Sequence, residues 1–295
     1  MNPDSNESGD LQFPAVMTRA IDRQRNFVAY TNKVVTFIWR HPANRRQRVR
    51  ALCRAVRFQI RGRVLRKPTV ARLGNRSQIL AVLHRTSAAK VIYANPPDYC
   101  EMLAWRRVLR PGDVFIDVGS NVGVYAIWAA EKGADVVALE PALDTFRLLK
   151  KNITLNGYRV HAINAAAGSV SGTTRFTSGQ DSVNHFDPSG TVEIPVVTLD
   201  TVIGDRAVAG VKIDVEGFEL DVLRGCVRAL SERRILLIQL EWNSTSLSAV
   251  GTDRRPLADL LSACGYGLYR PDGSGALVPL TDLNFGPDVF ARPHP

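Results

Sequence analysis

Cysteine is scarce in this chain of 295 residues, and its four copies, Cys53, Cys100, Cys226 and Cys264, show no Cys-x-x-Cys spacing and no paired histidines nearby. That pattern argues against a disulfide framework or a structural zinc site, and predicts buried or inert thiols in a reducing compartment. Aromatic residues make up only 7% of the chain, sparse for a protein built to stack successive bases. Long apolar runs are missing too: Val34 to Trp39 is six residues long, far below the ~20 needed to cross a bilayer. The amino terminus, MNPDSNESGD, is polar and acidic and has the pattern of neither a signal peptide nor a transit peptide. A disordered tail over residues 1–18 and a cytoplasmic location are the expectations. With 45% hydrophobic residues and no internal repeat, the chain can bury one sizeable core plus an appendage.

Phosphate-binding loops are also lacking. No Gly-x-Gly-x-x-Gly occurs where a dinucleotide would need bare backbone, and no Lys-Ser/Thr pair follows the glycine loop that is present. What stands there, from Gly112 to Pro141, is GDVFIDVGSNVGVYAIWAAEKGADVVALEP. It reads as a strand over Val114 to Val118, a glycine loop over Gly119 to Gly123, a helix from Tyr125, and a second strand, Val136 to Leu139, that delivers Glu140 to its carboxyl end. In open α/β sheets ligands sit outside the carboxyl ends of the strands. Glycines at 119 and 123 let backbone amides and the first helical turn close on polar ligand groups. Asp117 at the strand end suits a cation better than a pyrophosphate, and Glu140 follows it by 23 residues, near the ~20 expected for an acid that takes a ribose diol. S-adenosylmethionine fits these demands: it has a ribose, an ammonium and a sulfonium, and no phosphate.

Further on, Val211 to Gly217 reads VKIDVEG. Lys212, Asp214 and Glu216 alternate with apolar residues, which puts them on one side of an extended segment. The simplest reading is an edge strand with a solvated face; the alternative is a further strand end beside the same crevice.

These segments resemble the FkbM-type S-adenosylmethionine-dependent methyltransferases. The likeness rests on FIDVGSNVG (115–123), VVALEP (136–141), the Leu199-Asp200 pair in VVTLDTVI, and above all VKIDVEGFELDVLRG (211–225); LLIQLEWN (236–243) and DVFARP (288–293) look like later strands of the same sheet. The resemblance covers roughly residues 95–295. It implies an α/β class I methyltransferase fold, Rossmann-like, with a seven-stranded mostly parallel sheet, helices on both faces, and methylation of a hydroxyl on a sugar, glycolipid or natural product. It assigns Asp117, Gly119 and Asn121 to the methionine end of the cofactor, Glu140 to the ribose, and Asn164 to the adenine. Ser120, Gly123, Pro141 and Ala165 complete the cofactor set, Ala165 by its backbone, since Ala165 to Ala167 offer no polar side chain.

A neutral alcohol is a poor nucleophile, so a positioned base could contribute about 10²–10⁴-fold. Asp214, Glu216 and Glu241 are the candidates. His185, in the polar loop Ser178 to Gly190, stands apart, since a lone loop histidine is more often solvated than catalytic. The three acids could also form an oxygen-ligand site for magnesium. Capping and pairing with Lys212 compete with that reading, and no obligatory metal is expected.

Charge is unevenly spread. Residues 1–107 hold 21 Lys plus Arg against 6 Asp plus Glu, whereas residues 108–295 hold 17 against 22. Much of the base lies in Arg45 to Lys67, where Val49, Leu52, Cys53, Val56, Ile60 and Val64 recur at helical spacing. That helix either packs on the catalytic body with a solvated basic face or meets an anionic membrane surface. A basic arm also raises nucleic acid as an alternative acceptor, and Asn95-Pro96-Pro97 is similar to a motif of amino-group methyltransferases. Its fourth residue is Asp98 and it precedes the first strand, so it reads as a turn that starts a helix over Tyr99 to Val108, and nucleic acid is not favoured. A non-catalytic module that only binds the cofactor is the remaining alternative. The expected organisation is a tail (1–18), a basic helical region (19–94) with a hairpin around Val70 to Val82, and a methyltransferase domain (95–295). Within the last, strands are expected at 160–165, 211–215, 235–241, 266–269 and 289–292, short strands within Thr173 to Val197, and helices at 143–155, 219–230 and 256–264.

Overall fold

The computed structural model describes residues 30–83, 86–176, 192–242, 253–284, 286 and 288–294. The expected tail and the loop holding His185 lie outside the described residues. Helix α1 (30–40) leads through a short turn into α2 (Arg48–Val64). The hairpin strands β1 (Thr69–Leu73) and β2 (Ser77–Ala81), then α3 (Thr86–Tyr93) and α4 (Tyr99–Val108), complete the leading part. The alternating unit follows: β3 (Val114–Val118), α5 (Val124–Glu131), β4 (Asp135–Leu139), α6 (Leu143–Asn156) and β5 (Val160–Ile163). Strands β6 (Ala166–Ala167), β7 (Gly172–Phe176) and β8 (Val192–Val197) make a separate three-stranded sheet. Then come α7 (Leu199–Ile203), β9 (Gly210–Ile213), α8 (Glu219–Arg224), α9 (Val227–Ser231), β10 (Ile238–Glu241), α10 (Arg254–Ala263), β11 (Tyr266–Pro271), β12 (Leu277–Pro279) and β13 (Asp288–Pro293).

Among the described residues the main sheet has eight strands, in the order β12-β11-β13-β10-β9-β3-β4-β5. Strands β5, β4, β3, β9 and β10 pair in parallel, and β13 inserts antiparallel between β10 and β11. The expected count of seven is exceeded by β12, three residues that turn back on β11. Alternation along each strand sorts side chains to two faces. Ile116, Val118, Val211, Ile213, Ile238 and Leu240 pack with residues of α7, α8, α9 and α10. Phe115, Val136 and Phe290 face the other way, toward α4, α5 and the leading helices. Trp105 lies edge-on to Phe115 at 4.9 Å, and a Cβ on Gly210 would come within 2.3 Å of its ring, so a glycine is needed where β9 passes.

Of the two readings of Val211 to Gly217, the strand end beside the crevice holds: β3 and β10 flank β9, and Lys212 is buried. Three expectations are corrected by the packing. The helix expected over 219–230 breaks at Gly225, whose backbone passes so close to Gly168 that a Cβ would sit 2.0 Å from its carbonyl oxygen. Helix α2 docks through Ala51, Ala55 and Phe58, leaving the apolar stripe of Val49, Val56, Ile60 and Val64 exposed. Cys53, on that stripe, is exposed, while Cys226 is buried; all four cysteines are free.

The hairpin is fastened to the sheet domain by a carboxylate on α5 and two asparagines on α6. Glu131, at the end of α5, accepts hydrogen bonds from the amides of Asn75 (3.0 Å), Arg76 (2.9 Å) and Ser77 (2.9 Å) and from the Ser77 hydroxyl (2.7 Å). Arg106 forms an ion pair with it at 2.9 Å. Burial pushes the Glu131 carboxyl up, but the three amides and the hydroxyl outweigh that and leave it below the ordinary glutamate value. Asn152 and Asn156 of α6 accept the amides of Leu80 and Gln78, each at 2.8 Å. Asn95 is spent on the same hairpin: its Oδ1 accepts the Gly74 amide at 2.7 Å, and Pro97 receives a hydrogen bond from His41 Nε2 at 2.7 Å. The Asn-Pro-Pro segment is thus a structural turn, leading into α4 as its position suggested.

Candidate active site

The glycine loop stands where the sheet reverses its strand order, between β3 and α5. Gly119, Asn121 and Gly123 all have positive φ (74°, 49° and 89°). A Cβ at Gly119 would lie 2.0 Å from the carbonyl oxygen of Asp214, which makes this a point of backbone contact between the ends of β3 and β9. The Gly119 and Ser120 amides donate to Leu139 O at 3.0 and 2.9 Å, and the Glu140 amide to Ile163 O at 3.1 Å. Three neighbouring strand ends are thereby drawn together, as βαβ topology requires.

Asp117 is buried. Its Oδ2 accepts the Ala126 amide at 3.0 Å, while its Oδ1 has no hydrogen-bond partner among the described residues. Burial raises its pKa against the opposing pull of Lys212. Glu140, also buried, accepts the Asn121 amide at Oε2 and the Ala142 amide at Oε1, both at 2.9 Å. Its first task is therefore to hold the loop. Asn164 donates to the carbonyls of Glu140 (2.8 Å) and Pro141 (2.9 Å), so its amide nitrogen fixes the β4 end. Ser120 Oγ donates to Asp117 O at 2.8 Å, and Ala165 is buried. The predicted cofactor residues thus form one contiguous rim, several of them committed to shaping it.

On the β9 and β10 side, the ligand oxygens of Asp214, Glu216 and Glu241 lie within 4.8 Å of one another. All three predicted acids converge, although Glu216 gets there through a left-handed turn (φ 53°) just past the strand. Lys212 Nζ is 2.7 Å from Asp214 Oδ2 and 4.6 Å from the Tyr125 ring centre. Burial acts to lower the lysine pKa, but Asp214 and Asp117 overcome it and hold the ammonium well above its ordinary value. Glu241 is driven the other way: burial first, then Asp214, Glu216 and Glu219, push it up to about 9.

Several residues of the site escaped the sequence reading. Asp288 pairs opposite Glu241 and is pushed up to about 7, chiefly by burial; Gln239 donates to it at 2.5 Å and to Tyr125 Oη at 3.2 Å. It arrives because β13 runs backwards, which places its first residue at the edge where parallel strands finish; the acid opening DVFARP was the available signal. Glu219 is buried and accepts the amides of Val215 (3.1 Å) and Gly217 (3.2 Å), bracing the turn that presents Glu216. Burial lifts it to about 7 despite those amides. Arg254 donates to Leu283 O (2.8 Å) and Trp242 O (2.5 Å) and joins Asp98, Glu101, Tyr125, Lys212, Asp214, Glu241 and Asp288 around a cleft of about 600 Å³. Asp200, by contrast, lies on α7 and accepts the amides of Arg228 and Ala229, capping the start of α9.

A parallel sheet with a glycine loop between strand-end acids, and helices on both faces, defines a Rossmann-like α/β fold of the class I methyltransferase type. Residues 117–268 match the methyltransferase FkbM domain. The chain belongs to that family. It is 32% identical to the hexuronic acid methyltransferase AglP of Haloferax volcanii over 161 residues, which cover 51% of this chain and 62% of that one. It is 29% identical to the 31-O-demethyl-FK506 methyltransferase FkbM of Streptomyces tacrolimicus, with 40% of this chain and 60% of that one covered. Methyltransferase 1 of Beauveria bassiana is 28% identical, with 39% and 59% covered. The chain thus spans about three fifths of the length of the relatives it matches.

Proposed function

We propose that this protein is an S-adenosylmethionine-dependent O-methyltransferase acting on a hydroxyl of a sugar, glycolipid or natural product in the cytoplasm. One observation carries the reading: the acid-lined glycine loop, with Asp117 and Glu140, and the Asp214, Glu216 and Glu241 cluster meet through the contact of Gly119 with the Asp214 backbone. The rim fits the donor. The unpartnered buried Asp117 Oδ1 and the surrounding carboxylates suit a cationic ligand, and the bare Gly119 admits backbone where a side chain would collide. Asp117, Gly119 and Asn121 would hold the methionine end, Glu140 the ribose, and the Asn164–Ala165 segment the adenine.

S-adenosylmethionine, when bound, supplies the methyl group, and its sulfur keeps the electron pair of the broken bond. Asp214 takes the proton of the acceptor hydroxyl; its ion pair with the buried Lys212 fixes the carboxylate in place. Glu241, whose ligand oxygen lies within 4.8 Å of those of Asp214 and Glu216, orients the acceptor against Asp214. Alignment and exclusion of water supply the rest of the acceleration. The relatives named for a hexuronic acid and for 31-O-demethyl-FK506 support an oxygen acceptor.

Titration calorimetry with S-adenosylmethionine and radiolabelled methyl transfer into lipid, glycan and RNA fractions test this. Binding by the wild type, much weaker binding by Glu140→Ala, and label in the lipid or glycan fraction are expected. No affinity for the donor would overturn the proposal, and label in RNA alone would replace the acceptor.

A further inference from the structure

Helix α2 turns outward the side opposite Ala51, Ala55 and Phe58. That side carries Val49, Cys53, Val56, Ile60 and Val64, spaced by four, three, four and four residues, so they form one ridge along the whole helix. Val49, Val56, Ile60 and Val64 are 68%, 58%, 54% and 70% exposed. At about 100° per residue, Arg50, Arg57 and Arg61 fall on one flank of the ridge and Arg48 and Arg63 on the other. Residues 30–97 contain 16 Lys and Arg and no Asp or Glu. Trp39, from α1, is also exposed, with the Arg48 guanidinium 5.1 Å from its ring centre. On the Arg57 and Arg61 flank, α2 and β1 enclose a cleft of about 940 Å³ to which Arg54 and Arg72 add their charge.

An aliphatic ridge between two rows of arginines has one well-matched partner. RNA would use the charge and gain little from the valines, and a neutral apolar groove would use the valines and leave the arginines without counter-charges. A bilayer uses both: the ridge enters the boundary of the acyl chains while the arginine stems cover it and their heads reach the phosphates. We propose that α2 lies in the plane of an anionic phospholipid bilayer and holds the protein on that surface, with the arginine cleft taking lipid phosphate. The inference rests on the leading helices alone and stands whether or not the methyl-transfer reading does.

Co-sedimentation of the full chain with phosphatidylcholine vesicles, with and without one part in three of phosphatidylglycerol, tests it. Binding is expected only where phosphatidylglycerol is present, and added salt weakens it. A Val56→Asp/Ile60→Asp variant is expected to lose about tenfold or more in partitioning, with its melting temperature unchanged because both sites face outward. Arg50→Glu/Arg57→Glu is a second variant that leaves the ridge intact. Since a basic residue at such a surface contributes about fivefold, it too should lose about tenfold or more. Should the ridge variant melt early, the arginine variant decides. No sedimentation with phosphatidylglycerol vesicles overturns the proposal, as does undiminished binding by a well-folded ridge variant. Tight binding of single-stranded RNA by a protein that ignores vesicles overturns it in favour of nucleic acid.

Discussion

Replacing Lys212 with methionine keeps most of the side-chain volume and removes an ammonium that interacts with Asp214, Asp117 and Asp288. The lysine is buried, 2.7 Å from Asp214, and its stem passes the Tyr125 ring. Breaking a buried pair by removing one partner costs about 3–5 kcal/mol. Because the Asp214 side chain is 41% exposed, water recovers part of that, and the loss belongs at about 3 kcal/mol or a little below. The electrostatic consequence is separate from the stability. Without the ammonium every nearby carboxyl holds its proton more firmly, so the rising limb of the pH–rate profile moves to higher pH. Urea denaturation of Lys212→Met, and its methyl-transfer rate as a function of pH, measure the two effects. Adding Asp214→Asn should return much of the lost stability, since the uncompensated charge goes with it, but none of the activity. A Lys212→Met protein with wild-type stability and an unmoved pH limb would refute the assignment of Lys212 as the residue that positions and charges the base.

Gly119→Ala should abolish donor binding in calorimetry, because its Cβ would fall 2.0 Å from the Asp214 carbonyl at a φ of 74°; near-normal affinity would contradict the close contact of β3 and β9. Glu219 binds its proton more tightly in the folded state than unfolded, so this group withdraws stability as pH rises from the ordinary glutamate range to about 7. Glu219→Gln should therefore melt as high as wild type or higher in mildly alkaline buffer, whereas Glu219→Ala, which also loses two amide bonds, should cost about 2 kcal/mol. Glu131 has the opposite sign. Its carboxyl is lowered, so its contribution is present above the ordinary glutamate value and is lost as pH falls through the folded one. Glu131→Ala should flatten the acid limb of the stability curve and expose the hairpin amides of Asn75, Arg76 and Ser77 to hydrogen exchange, and unchanged protection would refute the fastening role.

The glycine loop, Asp117 and Glu140 were legible in the sequence because strand, turn and helix there are local and each strand end falls where its apolar run stops. The same holds for α4, whose bounds, Tyr99 to Val108, match the expectation drawn from the prolines ahead of it. Asp214, Glu216 and Glu241 were legible as candidate acids, but whether they converge was open in the sequence, because that depends on which strands lie next to β9, a long-range fact. Asp288 was missed because a reversed strand brings its beginning, not its end, to the working edge. The alternation around Lys212 left two readings open for a related reason: alternating polar residues describe a solvated face only in a strand with an open side, and neighbours distant in sequence close both sides of β9. Helix α2 shows the division most clearly. Periodicity established that it has an apolar stripe. Only the packing decided that Ala51, Ala55 and Phe58 face the core while Val49, Val56, Ile60 and Val64 face out: two alanines let the helix approach closely, Phe58 fills the space between, and no surface among the described residues covers the ridge.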